Sequence, residues 1–129
     1  MVNADDHLTS AKVLLEKEQL PHACFHAQQA AEIGLKALFL LNNVPFDFIH
    51  SITSLLNSLK DVYPDLGAFD EEAASLTGYA VRTRYPDLET GINPRDTVTK
   101  TSAARAVRDA EKILRAAQET YGKAVMKKG

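Results

Sequence analysis

Ile52, Leu55, Leu56, Leu59, Val62 and Tyr63 recur at the i, i+3, i+4, i+7 spacing that lines one face of an α-helix. The run predicts a helix opened by Ser51 and ended by Pro64, because a residue before proline is pushed out of the helical region. Asn3 is placed to cap an earlier helix, with Asp5 and Asp6 in its first turn and Leu8, Ala11 and Leu15 on its apolar side; it should end near Gln19. Pro21 suits the first position of a second helix that runs to about Leu41, where Asn42, Asn43 and Pro45 stop it. Phe69, Ala73, Leu76 and Ala80 mark a fourth, with Asp70, Glu71 and Glu72 at its favourable N-terminal end and Pro86 limiting it to about Arg84. Asn93 followed by Pro94 reads as the start of the longest helix, in which Ala103, Val107, Ala110, Leu114, Ala117 and Tyr121 keep one apolar stripe.

The second of these differs from the others. Ala23, Ala27, Ala30, Ala31, Gly34 and Ala37 scatter small residues around it, while Phe25, Leu35, Leu38 and Phe39 supply bulk. A helix apolar on most sides belongs at the centre of a bundle, where several neighbours approach it closely. No alternating strand pattern and no internal repeat interrupts this reading. The fold class predicted is all-α, an up-and-down helical bundle of four main helices plus a shorter one, in a single domain over residues 1–129.

Composition agrees with one packed core: 129 residues, 45% hydrophobic and 25% charged. The most apolar stretch, Ala27 to Leu41, is broken by Gln28, Gln29, Glu32 and Lys36, so it reads as a core helix and no membrane association is expected. The N-terminus lacks the basic start and apolar run of a secretory signal, which points to the cytoplasm. Cys24, the single cysteine, excludes an intramolecular disulfide and fits a small buried hydrophobe. The net charge of −2 hides an asymmetry. Residues 1–93 hold 6 Lys and Arg against 13 Asp and Glu, whereas residues 94–129 hold 9 against 4. The last helix is therefore basic, either as a solvated face complementing the helix dipole or as a surface for a phosphate or a partner.

Candidate chemistry begins on the second helix, where Gln28, Glu32 and Lys36 stand at i, i+4 and i+8 and form one polar line. On so apolar a helix such groups need partners, and Arg82 and Arg84 are the obvious ones. The line is a structural polar seam or part of a ligand-facing cluster. His22 and His26 are also i, i+4 neighbours, but two ligands without the adjacent glutamate of the metalloprotease motif do not make a metal site. His50, just before the third helix, is a capping or packing residue. Arg82, Arg84 and Tyr85 precede Pro86 at a helix end, suited either to bonding the last carbonyls or to clamping a phosphate while Tyr85 stacks on a base. No glycine-rich phosphate loop, dinucleotide fingerprint or Ser/His/Asp arrangement is present, and no cofactor is implied.

Phe25-His26-Ala27-Gln28-Gln29-Ala30-Ala31-Glu32 followed by Leu35-Lys36-Ala37-Leu38 resembles the helix signature of prokaryotic HEPN domains. His50-Ser51-Ile52 leading to Leu55-Leu56, and Arg84-Tyr85-Pro86-Asp87, resemble the family's next two landmarks, in the same order. The resemblance implies a small helical bundle, usually dimeric, often encoded beside a minimal nucleotidyltransferase and linked to nucleotide or RNA binding. Many members are metal-independent ribonucleases carrying an arginine followed four to six residues later by a histidine. Here the first arginine is Arg82 and the last histidine is His50, so that motif is absent. The expected function is a nucleotide- or RNA-binding module, homodimeric, paired with a minimal nucleotidyltransferase in a toxin–antitoxin type system. Lys36, Arg82, Arg84, Tyr85 and His26 are its candidate binding residues, and Gln28, Glu32 and His50 form the seam. The alternatives are a ribonuclease toxin with a non-standard site and a purely structural interaction module; on balance the missing motif leans away from an enzyme.

Overall fold

The computed structural model describes residues 1–42, 51–84 and 98–128, with only the helical backbone for residues 78–84 and 128. Among these residues five α-helices follow in chain order: α1 (Val2–Glu16), α2 (Leu20–Leu41), α3 (Ile52–Lys60), α4 (Asp70–Arg84) and α5 (Lys100–Lys128). A 3₁₀ segment, Pro64–Phe69, joins α3 to α4, and no strand occurs among the described residues. The shorter helix of the expected bundle is α3, at 9 residues.

Most predicted boundaries lie close to the observed ones, and the departures have local causes. Met1, rather than Asn3, is the N-cap of α1, and the Asp5 N–H donates to the Met1 carbonyl at 3.1 Å. The helix stops at Glu16, short of Gln19, because Glu18 takes up a left-handed conformation with φ of 61°. Such a backbone costs a non-glycine residue about 1–2 kcal/mol, and glutamate gives no warning of it. The resulting three-residue reversal leads directly into α2, whose first turn contains Pro21. At the other end of α2, the Asn42 side-chain amide donates to the Leu38 carbonyl at 2.8 Å and to the Tyr63 Oη at 2.9 Å, fastening the end of α2 to the end of α3.

Ser51 caps α3 as predicted, its Oγ accepting from the Ser54 N–H at 3.3 Å. The helix nevertheless ends at Lys60, a turn before Pro64, so Val62 leaves the apolar face and is 50% exposed. Pro64 starts the 3₁₀ segment, which buries Leu66 under the bundle. Thr77 on α4 receives the Thr53 backbone N–H at 3.2 Å and returns its own hydroxyl to the Ala73 carbonyl, joining α3 to α4. Thr99 and Ser102 cap each other's backbone N–H groups at 3.1 Å, which fixes the start of α5 at Lys100. Asn93 and Pro94, the expected start, lie outside the described residues.

The core forms around α2, which packs against α1, α3, α4 and α5. Its buried positions include Ala23, Ala27, Ala30, Ala31, Leu35 and Leu38, spread around the helix as the small-residue pattern anticipates. From α5 come Ala103, Val107, Ala110, Ile113, Leu114 and Ala117. Each large aliphatic side chain so removed from water contributes about 1.5–3 kcal/mol. Ion pairs of Asp5 with Arg115, Lys12 with Glu111 and Glu18 with Lys100 step in opposite directions along α1 and α5, so these two helices are antiparallel. Being exposed, such pairs orient more than they stabilise, at about 0–1 kcal/mol each. Asp109 on α5 is the unexpected member of the interior: it is 5% exposed, and among the described residues its Oδ2 has only Arg105 nearby, at 3.5 Å.

Candidate functional site

The polar line of α2 is present and lies in the interior. Gln28 is 1% exposed and Glu32 5%, a degree of burial rare for these residue types. The Gln28 Nε2 donates to the Glu32 Oε1 at 3.4 Å, and the Lys36 Nζ stands 3.8 Å from the other carboxylate oxygen. Burying a carboxylate without compensation is prohibitive, and Gln28 and Lys36 supply Glu32 with a hydrogen bond and a nearby opposite charge. Lys36, with its side chain 20% exposed, connects this buried pair to the surface. The arrangement offers one amide, one carboxylate and one amine in a row along a single helix.

The C-terminal turn of α4 carries Arg82 and Arg84, and α4 packs against α2. Their side chains lie outside what the structure describes, as do Tyr85 and His50. Among the predicted site residues, the structure brings Gln28, Glu32 and Lys36 together and sets His26 apart from them in a second cluster. The His26 Nδ1 is 2.9 Å from the Nδ1 of His7 on α1; the two rings stack with centroids 5.1 Å apart, and Phe25 meets the His26 ring edge-on. Burial, then the neighbouring His7 and His22, lower the pKa of His26 below its ordinary value, and in their contact whichever Nδ1 carries the hydrogen donates to the other. His7 escaped the sequence reading. Its signal was available only through the hairpin register, since a three-residue reversal at residues 17–19 sets positions near 7 opposite positions near 26.

Cys24 is buried as expected, and burial pushes its thiol pKa up to about 11. Among the described residues no group of three or more His, Cys, Asp or Glu side chains is placed to hold a metal ion. No helix there is long and apolar enough to cross a membrane.

Comparison with known proteins identifies the fold and the sequence pattern together. The HEPN domain profile matches residues 1–120. A protein of Methanocaldococcus jannaschii named "Putative toxin MJ1304" is 30% identical, over 86% of this chain and 78% of its own length. The crystal structure of TT1696 from Thermus thermophilus superposes with a TM-score of 0.77 at 33% identity, covering 91% of each chain. ST0689, described as an archaeal HEPN homologue, superposes with a TM-score of 0.74 over 92% of this chain and 91% of its own; at 24% identity it speaks for the fold alone. The family match over residues 1–120, together with a relative of 30% identity, shows that the chain belongs to the HEPN domain family.

Proposed function

We propose that this protein is a nucleotide- or RNA-binding HEPN module, working as a homodimer in the cytoplasm beside a minimal nucleotidyltransferase in a toxin–antitoxin type system. The observation that carries the binding reading is the buried line on α2. A buried carboxylate carries a desolvation cost that an apolar residue of similar volume would not, and Glu32, unlike the other buried carboxylate Asp109, shares its helix face with a buried amide and a lysine that reaches the surface. Its position beside Lys36, on a helix against which α4 packs, fits a site that directs a cationic side chain toward an anion. The name of the Methanocaldococcus jannaschii relative supports the toxin–antitoxin setting.

A ribonuclease acting through His26 is the weaker reading. Acid–base cleavage of a phosphodiester needs the acid and the base on opposite sides of the phosphate. His26 and His7 are instead in direct contact at 2.9 Å, with no room for a phosphate between them.

The test compares wild type with Arg84→Ala, measuring ATP binding by equilibrium dialysis, single-stranded RNA binding by fluorescence anisotropy, and the melting temperature of each protein. Binding at Arg84 predicts a loss of about 1.5–3 kcal/mol in affinity for one of these ligands, the worth of a charge-assisted hydrogen bond, with the melting temperature unchanged. A lower melting temperature with unaltered affinity removes Arg84 from the site. Absence of measurable affinity for both ligands in the wild type removes the binding reading itself.

A further inference from the structure

The basic character of the last helix has a structural counterpart distant in sequence from the α2 line. The second half of α5 presents two adjacent rows at i, i+4 spacing. Ala116, Thr120 and Ala124 form one; Arg115, Glu119, Lys123 and Lys127 form the other. A cavity of about 650 Å³ lies over both rows and is walled on its far side by Val62, Tyr63, Leu66 and Phe69 at the end of α3 and in the 3₁₀ segment. The floor is made of small side chains, which let another backbone approach closely. The wall is apolar, and its outermost member, Val62, is 50% exposed.

Charge defines the occupant further. Arg115 is already engaged by Asp5 at 2.9 Å and Gln118 at 2.7 Å, and Lys123 by Glu119 at 3.1 Å. Lys112 and Lys127, at the two ends of the groove, are exposed and make no ion pair among the described residues. At the helical rise their Cα atoms are about 22 Å apart, roughly four turns. A nucleic-acid strand would bring a negative charge at every phosphate and so would meet Glu119 and Asp65, both of which line the groove. Nor are the aromatic rings free for stacking on bases. Tyr63 and Phe69 pack against the core, and the Tyr63 Oη is held by Asn42.

We propose that this groove receives an amphipathic helix of a partner protein, with acidic side chains about four turns apart facing Lys112 and Lys127 and small or aliphatic residues between them. The helix-in-groove mode supplies burial from the apolar face and register from the two end charges. The proposal does not depend on nucleotide binding at Arg84 and survives the failure of that reading.

A labelled helical peptide of about five turns, with Ala and Leu on one face and Glu near each end, tests it against a twin carrying Lys at the same positions, by fluorescence anisotropy on the full chain. The Glu peptide should bind the wild type at least about tenfold more tightly than its twin. Lys112→Glu combined with Lys127→Glu should reverse that preference while leaving the far-UV circular dichroism unchanged, since both lysines are exposed. An unreversed preference, equal binding of both peptides or binding of neither overturns the proposal. Displacement of the Glu peptide by single-stranded RNA, with RNA affinity lost in the double variant, overturns it in favour of a nucleic-acid surface.

Discussion

At Gly34 the central helix lies close against α5, and its replacement by alanine separates two effects of opposite sign. A methyl group built on Gly34 would sit 2.8 Å from the Leu114 Cδ1, 3.6 Å from the Ala117 Cβ and 3.9 Å from the Leu114 Cα. The first distance is too short for two carbons, so Leu114 has to move. Leu114 is fully buried, and forcing a methyl into so packed a site costs about 1–3 kcal/mol. Against this, exchanging glycine for alanine inside a helix contributes about 1 kcal/mol. Gly34→Ala should therefore be net destabilising by about 0–2 kcal/mol. Leu114→Ala alone should cost about 2–5 kcal/mol through lost burial and the cavity left behind.

The combination is more informative than either change alone. With Leu114 truncated, the Cδ1 that opposes the new methyl is gone, and Gly34→Ala should become stabilising by about 1 kcal/mol. The two substitutions should thus be coupled by about 1–3 kcal/mol, as expected of residues in contact. Urea unfolding of the four proteins, followed by far-UV circular dichroism at one fixed protein concentration, measures the cycle. If Gly34→Ala stabilises both backgrounds by the same amount, helix propensity alone is at work and the close approach of α2 to α5 is refuted.

How far the fold was legible can be judged at particular residues. Periodicity located the helices: α3 and α5 each bury an apolar stripe written directly in residue order, and α2 stood out because small and apolar residues surround it on most sides. Ser51 and Pro21 were legible for a similar reason: a cap and a helix-starting proline act on their own backbone. The end of α3 was not. Val62 and Tyr63 continue the apolar spacing, yet the constraint of Pro64 on the residue before it starts the 3₁₀ segment and turns Val62 outward. Glu18 was illegible for the opposite reason, since its left-handed conformation is imposed by how α1 and α2 pack and by nothing in glutamate itself.

The site was legible along one helix and not between helices. Gln28, Glu32 and Lys36 share a face by spacing alone, and the small residues around them announced the burial that the structure displays. The contact between His7 and His26 required the register of the α1–α2 hairpin, and the groove beside α5 required knowing where the 3₁₀ segment runs. Asp109 shows the same limit from the other side: it sits beside the apolar stripe of α5 and is buried by its neighbours, while its chemistry would have placed it in solvent.

The two histidines and the cysteine give the remaining expected outcomes. His26 has a lowered pKa from burial and from His7 and His22, so the folded state binds its proton less readily than the unfolded state does. Its contribution to stability is fully present above the ordinary value of 6.5 and is lost as pH falls through the lower, folded-state value. Nuclear magnetic resonance titration should find His26 below 6.5 and should move it upward in His7→Gln; a His26 that titrates at or above 6.5 in the wild type refutes the contact. Cys24 tests the packing of α2 from within. With its thiol pKa near 11, roughly one molecule in ten thousand carries a thiolate at pH 7, and the sulfur is also shielded by a residue exposure of 1%. Reaction with a disulfide reagent should consequently be slow in the native protein, become stoichiometric in denaturant, and in between accelerate with urea as the bundle opens. Native labelling as fast as that of an unfolded control would mean that the face of α2 bearing Cys24 is open to solvent, and the central position assigned to this helix would then be wrong.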